Sequence, residues 1–324
     1  MSEALLRIEN LSIGYDAGIG QIHALRSANI EARAGEVVGI VGESGCGKST
    51  LVAAIINLLA TNAIVNSGSV YYKGTDILTL DKEAQRRIRG RDIAMVFQDP
   101  MTTFNPVLSL GEQLVDFQHH LDGISDAEKA KRARSLLTRV GIPDSDHCMG
   151  RYPHELSGGM RQRASIAAAL LMKPNVLVAD EPTAALDVTM EAQIIHLLRE
   201  LRQDHQGAII VVTHQLGVVA ELCDRVYVMY AGQVVEQGLV DDIYHAPQHP
   251  YTRALIACDP AHFEERTEVL PTISGRLPDL SKLPPGCSFA ARCSLATDRC
   301  RSASPPWVRV SETQYALCHE VAHG

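Results

Sequence analysis

The 324-residue sequence is 46% hydrophobic and 21% charged, a composition that supports one large core with an appended piece, so one or two domains are expected. Thirty basic residues stand against 38 acidic ones, a formal net charge of −8, which speaks against a main partner held by its phosphate backbone. No charge-free run of about 18 apolar residues occurs, and Met1 to Asn10 lacks a basic segment leading into an apolar one, so neither a membrane span nor a signal peptide is expected.

In chain order, short apolar runs alternate with turn residues at Leu5 to Ile8, Leu11 to Tyr15 and Ala24 to Ala32, which predicts a β-rich beginning. Val37 to Val41 reads as a buried strand entering a Gly-rich turn, and Ser49 to Leu59 as a helix with apolar residues at helical spacing. From Asp81 to Leu171 most segments look helical, and the charges of Asp126 to Arg139 suit a solvated face. Val176 to Ala179 and Ala208 to Val212 are continuous apolar runs, as expected of strands buried on both faces. The predicted fold class is α/β, with one domain reaching to about residue 240. Beyond it Pro271, Pro278, Pro284, Pro285, Pro305 and Pro306 accompany four of the eight cysteines. A Pro-rich segment with little apolar periodicity does not easily bury a core, so a covalent or metal staple is expected there. No internal repeat or low-complexity tract is present.

Gly42-Glu43-Ser44-Gly45-Cys46-Gly47-Lys48-Ser49 fits G-x-x-x-x-G-K-[ST] between the predicted strand and helix. Gly42, Gly45 and Gly47 let backbone N–H groups of the loop, with Ser44, Cys46 and Thr50 alongside, wrap phosphate oxygens; Lys48 meets the β- and γ-phosphates and Ser49 holds Mg²⁺. Asp180 ends the strand run Val176 to Ala179 and supplies the acid on the metal side, while Glu181 is placed to polarise the attacking water. Cys46 has two readings: a thiol acidified at a helix N-terminus, where alkylation would block ATP, or a small residue filling a serine position, which is preferred.

Leu156-Ser157-Gly158-Gly159-Met160-Arg161-Gln162-Arg163 opens a second helix, Gln162 to Leu171, with another phosphate-binding terminus. One nucleotide rarely needs two such termini, so this one is expected to serve the nucleotide of a partner in a head-to-tail pair. Here the sequence resembles the ATP-binding cassette (ABC) ATPases, over residues 5 to 240. The resemblance implies a P-loop NTPase with an N-terminal β-rich subdomain, a RecA-like core and a helical signature subdomain at about 99–170. It implies that Ser157, Gly158, Gly159 and Met160 contact the partner's ATP, that Gln98 touches Mg²⁺ and communicates with membrane subunits, and that Asp187 lies at the dimer interface. It also implies that His214 contacts the γ-phosphate and that Tyr15 stacks on adenine; alone, each would read as a structural residue. Met160 stands where the signature most often has glutamine, Ala184-Ala185 replaces a serine-containing lead into Leu186-Asp187, and Gln215 follows His214 where an acid is common. None of these removes a phosphate ligand or Glu181.

Cys287, Cys293, Cys300 and Cys318 fall within 32 residues. Persistent disulfides are not expected in a cytosolic ATPase, and none of the gaps has the short spacing of zinc pairs, while four thiolates also suit an iron-sulfur cluster; spacing alone leaves the metal open. Cys148, Cys223 and Cys258 read as small hydrophobes. Gln248-His249-Pro250-Tyr251-Thr252-Arg253-Ala254-Leu255, Gly275-Arg276-Leu277-Pro278 and Pro285-Gly286-Cys287-x-Phe289-x2-Arg292-Cys293 resemble the C-terminal extension of dipeptide and oligopeptide importer ATPases, here residues 241–324. In that branch the four cysteines carry a [4Fe-4S] cluster.

The resemblance implies an energising ATPase subunit on the cytoplasmic face of the inner membrane. Its implied partners are two membrane permease subunits, a second, paralogous ATPase and an extracytoplasmic peptide-binding protein. Another cargo, such as a nickel chelate, glutathione or a sugar, keeps the same architecture. An ABC ATPase acting on nucleic acid or ribosomes is disfavoured: one cassette is present, only 109 positions separate Lys48 from Ser157, and the net charge is negative.

Overall fold

The computed structural model describes residues 3–18, 20–184, 186–259 and 271–321. By its contacts the chain forms two compact units. One comprises Met1–Leu5, Arg33–Gly35 and Thr79–Val211; the other comprises Leu6–Ala32, Glu36–Leu78 and Val212–Gly324.

The second unit holds two sheets. In one, β1 (Ala4–Asp16), whose first two residues belong to the other unit, pairs antiparallel with β4 (Ala63–Tyr72), in the order β2 (Gln21–Arg33), β1, β4, β5 (Thr75–Asp76). In the other, β3 (Val37–Val41), buried at all five positions, pairs in parallel with β9 (Arg225–Tyr230), from Val38 opposite Arg225 to Val41 opposite Val228. A strand with no polar face belongs inside a covered parallel sheet, as its composition predicts. β9 pairs antiparallel with β10 (Gln233–Leu239), and the Pro-rich extension then adds β11 (Trp307–Arg309) and β12 (Tyr315–Leu317) to that edge, with Glu236 opposite Ala316. The extension thus compensates for its weak core by joining a larger one. Phe289 packs against Tyr230 and Tyr251 at ring-centroid distances of 5.2 and 5.5 Å, and the two tyrosines lie 4.6 Å apart.

The helix after β3 runs Lys48–Ile55, shorter than its apolar pattern predicts. Asn57 turns the backbone left-handed at φ 52°, and its amide donates to the carbonyl of Ile77 at 2.6 Å, which leaves Leu58 half exposed.

In the first unit, β6 (Ile93–Val96) pairs in parallel with β7 (Val176–Asp180), and the order continues to β8 (Ala208–Thr213), whose last two residues belong to the other unit. β6 interrupts a stretch expected to be mostly helical, because four residues are too few to display a period of two. Three of the helices here start at serine caps. Ser109 and Glu112 form a reciprocal capping box, Ser125 caps Asp126–Arg139, and Ser157 caps Gly158–Leu170. Asp126–Arg139 buries only Ala133 and Leu137, so its charges do line a solvated face.

A buried polar cluster joins the extension to β10 in the second unit. Glu236, fully buried, accepts from the backbone N–H of Gln248 at 2.7 Å and of His249 at 2.9 Å, and from the amide of Gln314 at 2.9 Å. His249 Nδ1 accepts from the N–H of Tyr251 at 3.0 Å, while the ring also bonds the backbone of Leu317. Burial lowers the His249 pKa to about 3, so the ring stays neutral in the folded chain. A lowered histidine pKa contributes stability above the unfolded value of 6.5 that is lost as pH falls from there towards 3. Between pH 7 and pH 5 this group is expected to remove about 2 kcal/mol. Urea titrations at both pH values should show that loss in the wild type and a smaller one in His249→Gln.

Candidate functional site

The phosphate-loop motif lies between β3 and the helix Lys48–Ile55, the strand-loop-helix context its chemistry requires. Gly47 caps that helix at φ 108°, and a Cβ there would come within 2.5 Å of the carbonyl of Ala24, so only glycine fits. Lys48 is buried, and its ammonium donates to the carbonyls of Gly42 at 2.6 Å and Glu43 at 3.2 Å, which folds the cation over the loop. Ser49 and Thr50 stand in the first turn of the helix; the Thr50 hydroxyl pairs with that of Tyr15 at 3.1 Å, fixing the ring of Tyr15 beside the helix start. His214 follows β8 as an exposed residue of the same unit.

Cys46 resolves in favour of the bland reading. It is fully buried, and burial pushes its thiol pKa up against the opposing effect of Lys48. Alkylation of the native chain by a maleimide at neutral pH should leave Cys46 unmodified with or without ATP, as peptide mapping would show.

The first unit carries the remaining motif residues. Asp180 closes β7, and Glu181, one step on, has a left-handed backbone at φ 47°. For a residue with a side chain that conformation is costly and is typical of functional sites. The following segment is held by Gln162, whose buried amide donates to the carbonyl of Pro182 at 2.8 Å. The signature helix begins at Gly158, earlier than the expected Gln162, because Ser157 caps it by accepting from the N–H of Met160 at 3.3 Å. Gly158 is exposed, whereas Gly159 packs on the Met190 methyl, which would have to shift to admit a Cβ. Asp187 caps the helix Val188–Asp204 by accepting from the N–H of Met190 at 2.9 Å. Gln98 is exposed after β6, and Ala185 lies outside the described residues.

Sequence reasoning assigned no role to the groups around Glu43. Arg292 Nη1 and Nη2 donate to its two carboxylate oxygens at 2.7 and 3.0 Å, and hydrogen bonding to Glu43 holds the guanidinium pKa above its usual value. Arg26 donates to the carbonyl of Ala231 at 2.8 and 3.0 Å and to the hydroxyl of Ser288 at 2.6 Å, beside Cys287; burial lowers its pKa to about 10. The only sequence signal was that Arg292 sits inside a recognisable motif.

Cys287, Cys293, Cys300 and Cys318 are free thiols that line one small cavity with Phe289 and Glu320. The N–H of Cys287 donates to the carbonyl of Cys300 at 2.8 Å, and the N–H of Glu320 points to Cys318 Sγ at 3.5 Å. Burial raises the thiol pKa of Cys287, Cys293 and Cys318. Among the described residues, however, no group of three or more His, Cys, Asp or Glu is placed to hold a metal ion. The donor type and its convergence fit a metal site; the ligand placement does not. Of the other cysteines, Cys148 is buried and Cys223 and Cys258 are half-buried.

Among the described residues no helix is long and apolar enough to cross a membrane. The family described as ABC transporter matches residues 25–184, and the oligopeptide/dipeptide transporter C-terminal region matches residues 235–300. A Brucella abortus (strain 2308) protein named for peptide import ATP binding is 45% identical over 327 residues, 98% of this chain and 97% of its own. The dipeptide transport ATP-binding protein DppD of Lactococcus lactis subsp. cremoris is 42% identical, covering 97% of this chain and 90% of its own. Among solved structures, the dimeric post-hydrolysis ATP-binding cassette MJ0796 bound to ADP and Pi superposes with a TM-score of 0.65 at 30% identity, covering 72% of this chain and 98% of that one. CbiO1 of Clostridium perfringens, part of the ABC transporter complex cbiONQ, gives 0.64 at 32%, covering 76% and 92%. With the cassette fold and the peptide-transporter C-terminal region in one chain, the protein belongs to the ABC transporter ATPases, in the branch of the peptide import ATP-binding proteins.

Proposed function

We propose that the chain is the ATP-hydrolysing, energising subunit of an importer for di- and oligopeptides, acting as a peripheral protein on the cytoplasmic face of the membrane. The observation that carries this reading is the near end-to-end identity of 42–45% with peptide-import ATPases, which includes the C-terminal region as well as the cassette.

In this reading the loop Gly42 to Thr50 binds the phosphates and Tyr15 supports adenine. Lys48 offsets the charge of the β- and γ-phosphates, and Ser49 and Gln98 would hold Mg²⁺ with Asp180 on its water shell. Bound Mg²⁺ neutralises charge on the transferred phosphoryl group. Glu181 takes the proton of the attacking water, and His214 contacts the γ-phosphate. Ser157, Gly158, Gly159 and Met160 contact the ATP of a paralogous partner ATPase, and Asp187 lies at that interface. Closure of the pair around two ATP molecules drives two permease subunits, which receive peptide from an extracytoplasmic binding protein. A different cargo remains the nearest alternative, because cargo contacts belong to other subunits.

For the four cysteines the proposal is a [4Fe-4S] cluster that cross-links the extension, with no step of ATP chemistry passing through it. A single zinc ion, with Zn–S near 2.3 Å, needs sulfurs about 3.8 Å apart. Cys287, Cys293, Cys300 and Cys318, which line one cavity, would hold a four-iron cluster through their thiolates. Iron and acid-labile sulfide in comparable amounts after anaerobic purification, lost in Cys293→Ser, would support the cluster; zinc or no metal would remove it.

The functional test is ATP turnover of the assembled importer in liposomes. Stimulation by peptide-loaded binding protein supports peptide import, whereas stimulation by DNA or ribosomes alone would overturn it.

A further inference from the structure

Glu43 presents a chemical conflict, because it puts a carboxylate into a loop whose task is to receive a polyphosphate. Nothing in the G-x-x-x-x-G-K-[ST] pattern asks for an acid at that position. The structure shows how the charge is managed. Both carboxylate oxygens are taken by the fork of Arg292, at 2.7 and 3.0 Å, in the bidentate geometry that makes guanidinium–carboxylate pairs strong. The Arg292 side chain is only 4% exposed, and its remaining donors are engaged by the carbonyls of Ser274 at 2.8 Å and Ile273 at 3.0 Å and by the hydroxyl of Tyr230 at 3.4 Å. The guanidinium therefore cannot swing away without leaving three further acceptors. The backbone of Glu43 is held as well: its N–H donates at 2.9 Å to the hydroxyl of Tyr251, a ring buried against Tyr230 and Phe289. Its carbonyl is one of the two acceptors of the Lys48 ammonium. One residue of the phosphate loop is thus gripped through side chain and backbone by residues 249 and 208 positions away, and it in turn holds the lysine.

We propose that Arg292 is a positioning residue for ATP: it neutralises Glu43 and pins the loop so that Lys48 and the loop N–H groups face the polyphosphate. This rests on the reading of Gly42 to Thr50 as the phosphate site. Without Arg292 an uncovered carboxylate repels the nucleotide, and the loop loses a fixed point. The ATP-binding loop therefore depends on the extension that distinguishes this chain from a bare cassette.

The test uses the full-length chain with MgATP as the probe, measuring Kd, KM, kcat and thermal midpoint. Arg292→Gln is expected to raise Kd and KM about tenfold, with kcat falling less than KM rises. The defect should grow at low salt, where the exposed carboxylate is less screened. Arg292→Gln/Glu43→Gln should regain most of the affinity because the offending charge is gone; a purely structural role would leave the double variant no better than the single one. Should Arg292→Gln fail to fold, Glu43→Asp keeps the charge while withdrawing it from the fork, and is expected to raise KM several-fold. Wild-type Kd in Arg292→Gln or in Glu43→Asp, or a double variant as weak as the single one, would overturn the proposal. Lys48→Ala serves as the control: tight MgATP binding by that variant would sink the phosphate-site reading itself rather than the role of Arg292.

Discussion

Glu181→Gln is expected to lower ATP turnover about 10²- to 10³-fold while leaving MgATP binding in place. The amide keeps the shape of the side chain but cannot accept a proton from water. The local structure supports a dedicated role. Four buried apolar residues of β7 anchor the approach, and Glu181 follows at φ 47°, a backbone conformation that costs about 1–3 kcal/mol for a residue with a side chain. The Gln162 amide on the Pro182 carbonyl keeps the segment in that conformation. Steady-state turnover alongside equilibrium binding would separate the two effects. A variant retaining a tenth or more of wild-type turnover would remove Glu181 as the base and leave water activation to another group. Equal loss of binding would make it a ligand rather than a base.

Glu236→Ala is expected to destabilise the folded chain by about 3–5 kcal/mol, read as a fall in the urea midpoint with an unchanged slope. The wild-type carboxylate satisfies two backbone N–H groups and the amide of Gln314, none of which has ready access to water. Removing it orphans both backbone donors and leaves the Gln314 amide only the carbonyl of Ala246. Burial raises the Glu236 pKa above 4.5 despite those bonds, so its linkage runs opposite to that of His249. A raised carboxylate pKa contributes stability that is fully present below 4.5 and is lost as pH rises through the folded value. Glu236→Gln should fall between wild type and alanine, since the amide keeps one acceptor but turns an N–H₂ towards a donor. A midpoint within experimental error of wild type for Glu236→Ala would mean that water replaces the carboxylate, and that the extension is held mainly by Phe289, Tyr251 and the strand pairing of β12.

Contiguity explains which elements could be read beforehand. β3, β7 and β8 are apolar at nearly every position, and a strand buried on both faces needs no period to betray it. The helix end at Asn57 was illegible because the apolar pattern continues past it, and what stops the helix is a hydrogen bond to Ile77, twenty residues on. β6 was too short to show a period, and its strand character comes from pairing with β7. The extension read as a segment in need of a staple. It is also an edge of a larger sheet, and its two three-residue strands carry no signal outside that pairing.

The sequence alone located the phosphate-loop motif, Asp180 and Glu181 at the end of β7, the signature motif and the four cysteines, and it identified the family, since each is read from residue identity and spacing. Tertiary structure decided how Glu43 is neutralised, why Cys46 is shielded, how Glu236 and His249 tie the extension to β10, and that the four thiols share one cavity. Those features are pairings between residues up to 249 positions apart. A side chain's partner at that distance is set by packing of the whole core, which leaves no trace in local period or spacing.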